Sequence, residues 1–252
     1  MREFRIANAR PVEVEGTKLP PTWIRLGGHN FSDDIDFLAS AEQEIDRLED
    51  GAGLRADSRL LDIGCGVGRL AIGLKRRYGT LSNYTGIDVD RARIRWCQKH
   101  IDADAFVHLD LANARYNPSG AAINEHFRFD LPGQSVDVIY LFSVFSHMET
   151  DDVRAYLREF RRLLSPEGRG FLTAFLESGV PEMVVNPADY TPVGDWSGPL
   201  HCVRYDRAFF EMLVADAGLT IETFHHRSDR DGQSCVILRP DHASATDFQP
   251  PL

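Results

Sequence analysis

Leu60-Leu61-Asp62-Ile63-Gly64-Cys65-Gly66-Val67-Gly68-Arg69-Leu70 decides how this 252-residue chain is read. An apolar run ends in a carboxylate, glycines follow at every second position, and an apolar helix begins. That order describes a buried strand turning sharply into a helix. The glycines allow positive φ and leave room for a ligand where any Cβ would intrude. Their spacing then bears on which ligand. The dinucleotide fingerprint is G-x-G-x-x-G, with the pyrophosphate at the helix N-terminus. Here the third glycine comes one residue early, and Arg69 stands where the fingerprint has its last glycine.

Outward from this corner, strand and helix signals alternate. Strands are predicted at 59–63, 84–88, 105–109, 136–142 and 169–175, with helices at 69–78, 91–101 and 150–164. Ile94, Cys97 and Ile101 form the inner stripe of the second helix. Val153, Tyr156, Leu157, Phe160, Leu163 and Leu164 form that of the third. Ser165-Pro166-Glu167-Gly168 reads as a type I turn. Asp206 caps a further helix carrying Phe209, Phe210, Leu213 and Val214, which stops at Gly218. Two closing strands, 219–225 and 235–239, have no helix between them, so they predict an antiparallel edge hairpin. The alternation implies an α/β, doubly wound, mostly parallel sheet.

Before the corner, Ser32 reads as an N-cap with Asp33 and Asp34 in the first turn. Ile35, Leu38, Ala41, Ile45 and Leu48 make its helical stripe, ended by Gly51 or Gly53. Residues 1–31, with Trp23 and Gly27-Gly28-His29-Asn30, read as an irregular arm or lid; 32–240 form the domain, and 241–252 a flexible tail. Insertions at 113–130 and 177–205 leave the C-terminal edge of the sheet, where open α/β folds bind ligands, and are the predicted acceptor walls.

The net charge of −10 argues against a nucleic-acid partner, which needs a basic face. Arg158, Arg161 and Arg162 stand beside Asp151, Asp152 and Glu159 and read as a solvated, ion-paired helix face. No apolar run reaches the length of a membrane span. Cys65, Cys97, Cys202 and Cys235 are scattered without a CxxC pair, which predicts a reducing, cytoplasmic setting.

The pattern hhDhGxGxG over Leu60–Gly68 resembles motif I of class I S-adenosylmethionine-dependent methyltransferases. The resemblance extends to Asp88, which closes Tyr84-Thr85-Gly86-Ile87-Asp88, to Asp110-Leu111, and to the strand 136–142 leading into Ser143-Val144-Phe145-Ser146-His147-Met148. It implies a Rossmann-like seven-stranded methyltransferase sheet with an antiparallel C-terminal hairpin. It also implies S-adenosylmethionine as cofactor and S-adenosylhomocysteine as product. Gly64, Cys65, Gly66 and Gly68 then form the cofactor loop. Asp62 meets the cofactor's amino group, and Arg69 either its carboxylate or the solvent. Asp88, with Val89 beside it, receives the ribose. Asp110 receives the adenine amino group, Leu111 lies against the ring, and Phe142 closes the strand end that faces the acceptor.

An alcohol acceptor needs a base for its proton. His147 is the candidate, the alternative being a hydrogen bond from its ring to the following loop. Glu149, with Asp151, either orients the imidazole and touches the acceptor or caps the helix at 150–164. Some family members use Mg²⁺ to hold vicinal hydroxyls, and Glu149, Asp151, Glu177 and Asp195 are the carboxylates within reach of one. No ligand cluster is visible in sequence. His201 and His225-His226 are weaker candidates.

Tyr116-Asn117-Pro118-Ser119-Gly120, the phrase 143–148 and the N-terminal arm resemble bacterial methyltransferases of glycan biosynthesis. That implies a sugar or oligosaccharide acceptor, with Trp23, Tyr116, Tyr190 and Trp196 offering rings to sugar faces; a phenol or other small metabolite is the alternative. Such enzymes are commonly homodimers. Two other classes remain open at this level, a nicotinamide-dependent oxidoreductase and a cofactor-binding module without catalysis.

Overall fold

In the computed structural model, residues 2–26, 31–124, 126–190, 197–229 and 231–242 are described. Gly27-Gly28-His29-Asn30, Asp195, Trp196 and the tail from 243 lie outside them. The N-terminal arm is more ordered than its composition suggests. It forms helix α1 (Arg2–Ala7), a hairpin of β1 (Val12–Val14) with β2 (Thr17–Leu19), and a 3-10 turn at Thr22–Ile24. The arm is fastened to the domain through its backbone. Trp96 Nε1 donates to the Ala9 carbonyl at 2.9 Å, and Arg93 Nε to that of Ile24 at 3.0 Å.

Helix α2 (Asp34–Ala52) is capped by Asp33 rather than Ser32: the Asp33 carboxylate accepts from Ile35 N and Asp36 N. Its buried stripe starts at Phe37, while Ile35 is 55% exposed. Gly53, at φ +69°, ends it. The domain then alternates through β3 (Leu60–Ile63), α3 (Arg69–Tyr78), β4 (Tyr84–Asp88), α4 (Arg91–His100), β5 (Phe106–His108), β6 (Val136–Leu141), α5 (Thr150–Leu163) and β7 (Leu164–Glu177). After β8 (Met183–Val185) and β9 (Val203–Asp206) come α6 (Arg207–Asp216), β10 (Leu219–His225) and β11 (Ser234–Pro240).

The sheet follows the order β10-β11-β7-β6-β3-β4-β5, with β8 and β9 joined to it off that path. The expected seven strands are therefore extended by two from the second insertion, β9 running parallel to β7. The closing hairpin is antiparallel and pairs antiparallel with β7. Residues 165–168 do not make a separate turn. Leu164 already pairs with Val136 and Arg169 with Val138, so they bulge out of one continuous strand.

Alternation along the strands divides the core in two. Leu60, Val138 and Tyr140 pack with α2, α3 and α4, whereas Leu61, Ile139 and Leu141 pack with α5 and α6. Between β5 and β6 the described residues contain no helix. Phe127 and Phe129 cover that side instead, against Tyr156 of α5. Glu159 anchors them from below, and it is fully buried rather than part of a solvated face. It accepts from Phe129 N at 2.8 Å and pairs with Arg162 at 2.6 Å.

Candidate functional site

The β3–α3 corner opens onto a cavity of about 450 Å³ at the C-terminal edge of the sheet, a size suited to a small cofactor. Gly64 N and Cys65 N both donate to the Ile87 carbonyl, at 2.8 and 3.1 Å, which ties the corner to β4. Two of its glycines serve different ends. A Cβ on Gly68 would stand 2.5 Å from Ile101 Cδ1, so its absence is a packing requirement; Gly68 does not line the cavity. A Cβ on Gly66, at φ +55°, would meet nothing within 4 Å, and Gly66 does line it. The space beside Gly66 is left for something other than protein.

Asp88 holds this loop. Its carboxylate accepts from Gly66 N at 2.8 Å and from Asp90 N at 2.7 Å, while burial pushes its pKa up. Asp62 is 2% exposed and accepts from the Tyr84 hydroxyl at 2.7 Å. Burial raises its carboxyl to about 7, against the opposing pull of that hydrogen bond and of Arg69. Arg69 stacks over Phe31 and Phe142, with ring centroids 5.2 and 4.9 Å away, and donates to the Tyr140 hydroxyl and the Ser40 carbonyl. The Tyr140 hydroxyl in turn donates to buried Glu44 at 2.9 Å. Glu44 interrupts the apolar stripe Ala41–Ile45–Leu48, the one mark in the sequence by which this network could have been found.

At the far end the two insertions meet. Arg115 donates to the carbonyls of Ser197 and Pro199, at 2.9 and 3.3 Å. His147 fastens both sides: its carbonyl accepts from Asn113 at 2.9 Å, and its Nδ1 lies 2.7 Å from the Leu200 carbonyl. A carbonyl only accepts, so Nδ1 carries the proton and Nε2 is the lone-pair nitrogen. The Tyr116 ring meets the imidazole edge-on at 5.5 Å. Burial lowers the His147 pKa to about 4, so the ring is neutral at neutral pH.

Ser143, at φ +57°, turns the chain away from β6, and its N–H donates to Thr173 Oγ1 at 2.8 Å. Gln233 joins the turn between β10 and β11 to this point, donating to Ser143 Oγ at 2.8 Å and to Asp231 at 2.6 Å. Ser143, Asp231 and Gln233, together with Asp229, line the cavity.

Of the residues expected from sequence, Asp62, Gly64, Cys65, Gly66, Arg69, Asp88, Val89, Leu111, Phe142 and His147 line one cavity. Two do not. Glu149 is exposed, precedes the first turn of α5 and does not line the cavity; Asp152, one turn further on, does. Asp110 is also exposed. Leu109 and Leu111 turn inward on either side of it, and Asn117 Nδ2 holds its carboxylate at 2.9 Å. Tyr116, Tyr190 and His201 line the cavity, whereas Trp23 stands 56% exposed outside it. His226 and Arg227 bind Glu177. Among the described residues no group of three or more metal-ligating side chains converges. Asp151 is exposed, and Asp195 lies outside the described residues.

Residues 34–223 match the model of the methyltransferase-domain family. A methyltransferase of Streptomyces halstedii, GfsG, is 30% identical over 139 residues, 54% of this chain and 44% of that protein. The chain spans about half the length of the curated relatives it matches. The crystal structure of the PH0226 protein from Pyrococcus horikoshii OT3 is similar in fold, with a TM-score of 0.54 at 15% identity, covering 82% of this chain and 92% of that one. So is geranyl diphosphate C-methyltransferase from Streptomyces coelicolor A3(2), determined with Mg²⁺, geranyl diphosphate and S-adenosylhomocysteine. Its TM-score is 0.52 at 17% identity, over 80% of this chain and 78% of that one.

Proposed function

The chain belongs to the methyltransferase-domain family, and from that premise we propose that it is an S-adenosylmethionine-dependent O-methyltransferase acting on a hydroxyl of a sugar or oligosaccharide precursor. One observation carries the reading: a single cavity joins the open backbone at Gly66 and the carboxylates closing β3 and β4 to a far wall rich in hydrogen-bonding groups.

The residues present fit the cofactor. Asp62 and Arg69 offer opposite charges for the amino and carboxylate ends of its methionine part. Asp88 can accept from ribose hydroxyls through lone pairs left over from its two backbone bonds. Val89, Leu109 and Leu111 offer apolar faces to a purine. S-adenosylmethionine supplies an electrophilic methyl on a sulfonium, displaced in line by the acceptor oxygen.

The protein's task is to hold that oxygen in line and to take its proton. His147 Nε2 is the proton acceptor in this reading. A base with a pKa of about 4 suffices, because the hydroxyl becomes strongly acidic as its oxygen gains the methyl. The acceptor wall supports a hydroxylated substrate: Asp229, Asp231, Gln233, Ser143 and Asn113 offer hydrogen bonds, and Tyr116 and Tyr190 offer rings. Among the described residues Arg69 is the one lysine or arginine that lines the cavity, and Tyr140 and Glu44 hold it. No helix of the described residues is long and apolar enough to cross a membrane. The four cysteines are free thiols, in keeping with a reducing cytoplasm.

The test is methyl transfer from labelled S-adenosylmethionine to a panel of neutral sugars, oligosaccharides, sugar phosphates, phenols and lipids, beside calorimetry with S-adenosylhomocysteine and NAD. Transfer to neutral glycans is expected. Tight binding of NAD without binding of S-adenosylhomocysteine overturns the cofactor assignment. Transfer confined to phenols or sugar phosphates overturns the acceptor.

A further inference from the structure

The cavity holds one carboxylate that the reading above leaves without a task. Asp152 sits in the first turn of α5, lines the cavity, and has no hydrogen-bond or ion-pair partner among the described residues. The residue expected to receive the adenine amino group, Asp110, is exposed and held by Asn117 on the far side of its segment. An adenine seated against Leu111 would therefore meet no carboxylate from its own loop. We propose that Asp152 takes the place of Asp110 and accepts the hydrogen bond of the cofactor's adenine 6-amino group. This rests on the reading of the cavity as an S-adenosylmethionine site.

Three features carry the assignment. Asp152 faces an apolar slot: Met148, Tyr156 and Leu111 pack in one cluster with Ile123 against it, and all four line the cavity. A purine fits such a slot, with one polar group at its edge. Next, Asp152 and the ribose acid Asp88 line the same cavity, so one ligand can meet both. Finally, the first turn of the 14-residue α5 favours an anion there. Burial, with Glu149 and Asp151 nearby, pushes the Asp152 pKa upward, a strain that an amino hydrogen bond to the ionised carboxylate relieves.

The experiment is calorimetry of the full chain with S-adenosylhomocysteine and with S-inosylhomocysteine, in which a 6-oxo group replaces the amino group. The oxo group accepts and cannot donate, so it faces the Asp152 carboxylate with like polarity. The unsubstituted protein is expected to prefer S-adenosylhomocysteine by about tenfold or more, the scale of a hydrogen bond to a charged group. Asp152→Asn is expected to lose roughly that factor toward S-adenosylhomocysteine and most of the discrimination, since an amide can turn to suit either base. Asp152→Ser provides a second variant, and melting curves verify that both fold. Asp110→Asn is expected to bind both ligands as the unsubstituted protein does. Unchanged affinity and discrimination in both Asp152 variants, or a loss carried by Asp110→Asn, overturns the proposal. Failure of the unsubstituted protein to bind S-adenosylhomocysteine instead removes the cofactor reading beneath it.

Discussion

Gly66→Ala is expected to remove cofactor binding while leaving the fold nearly intact. Gly66 has φ +55°, and an added Cβ meets no protein atom within 4 Å. Its cost to folding is then the left-handed backbone alone, roughly 1–2 kcal/mol. For a chain of this size that lowers the melting temperature by roughly 2–4 °C per kcal/mol. Gly68→Ala is the control. It carries the same backbone cost at φ +77° and drives a methyl to 2.5 Å from Ile101 Cδ1 and 3.3 Å from Phe106 Cζ. Overpacking of that kind adds about 1–3 kcal/mol. The methyl on Gly66 instead enters open space at the cavity wall. Scanning calorimetry of the free proteins and titration with S-adenosylhomocysteine separate the two: Gly66→Ala should lose affinity by at least about tenfold for a small loss of stability. If Gly66→Ala binds S-adenosylhomocysteine like the unsubstituted protein, or melts as low as Gly68→Ala, the division between a ligand glycine and a packing glycine is wrong.

Protonation makes two further tests of opposite sign. His147 has a folded pKa of about 4 against an ordinary 6.5. The stability of its neutral state is therefore complete above pH 6.5 and is lost as pH falls toward 4, by about 3 kcal/mol. His147→Asn should flatten the stability-versus-pH slope in that window, read by urea melts at pH 7 and 5; an unchanged slope refutes it. Asp62 shifts the other way, to about 7 from 3.8, so burying its charge costs stability above pH 7 and the cost recedes as pH falls. Asp62→Asn should raise the melting temperature of the free protein at pH 8, by the equivalent of ~2–4 kcal/mol, while weakening S-adenosylhomocysteine. A lower melting temperature at pH 8 contradicts the burial argument. Glu159→Ala strands the Phe129 N–H and leaves Arg162 without its carboxylate partner. A destabilisation of ~3 kcal/mol is expected in denaturant titration, and a change under ~1 kcal/mol would return Glu159 to the solvated face its sequence suggests.

Where a residue's role followed from its place in a repeating element, the sequence was a good guide. The strand carrying Asp62, the corner glycines, Asp88 at the end of β4 and the antiparallel hairpin all lie where periodicity and turn chemistry put them. Ends and irregular connections were harder to read. Ser32 and Asp33 are both good cap residues, and it is the Asp33 carboxylate that accepts from the first-turn N–H groups. In the same first turn, Ile35 misses the buried face that Phe37 occupies. Pro166 and Gly168 suit a turn, yet the ladder between β6 and β7 resumes on either side of them.

The candidate site shows the same division. Local order determined where the corner and the strand-end acids stand, because strand ends and a glycine corner place their groups through backbone geometry that near neighbours enforce. Tertiary structure decided which side chains line the cavity there. Asp110 and Glu149 sit at the expected positions in the chain, but Leu109 and Leu111 turn inward and leave the first exposed, and the second stands exposed before the first turn of α5, where Asp152 lines the cavity. Asp231 and Gln233 reach the cavity, and Glu44 and the Leu200 carbonyl hold residues that line it, through pairings that span about fifty to nearly one hundred positions. No local pattern encodes such pairings, because they arise from packing between segments that meet only once the sheet has formed.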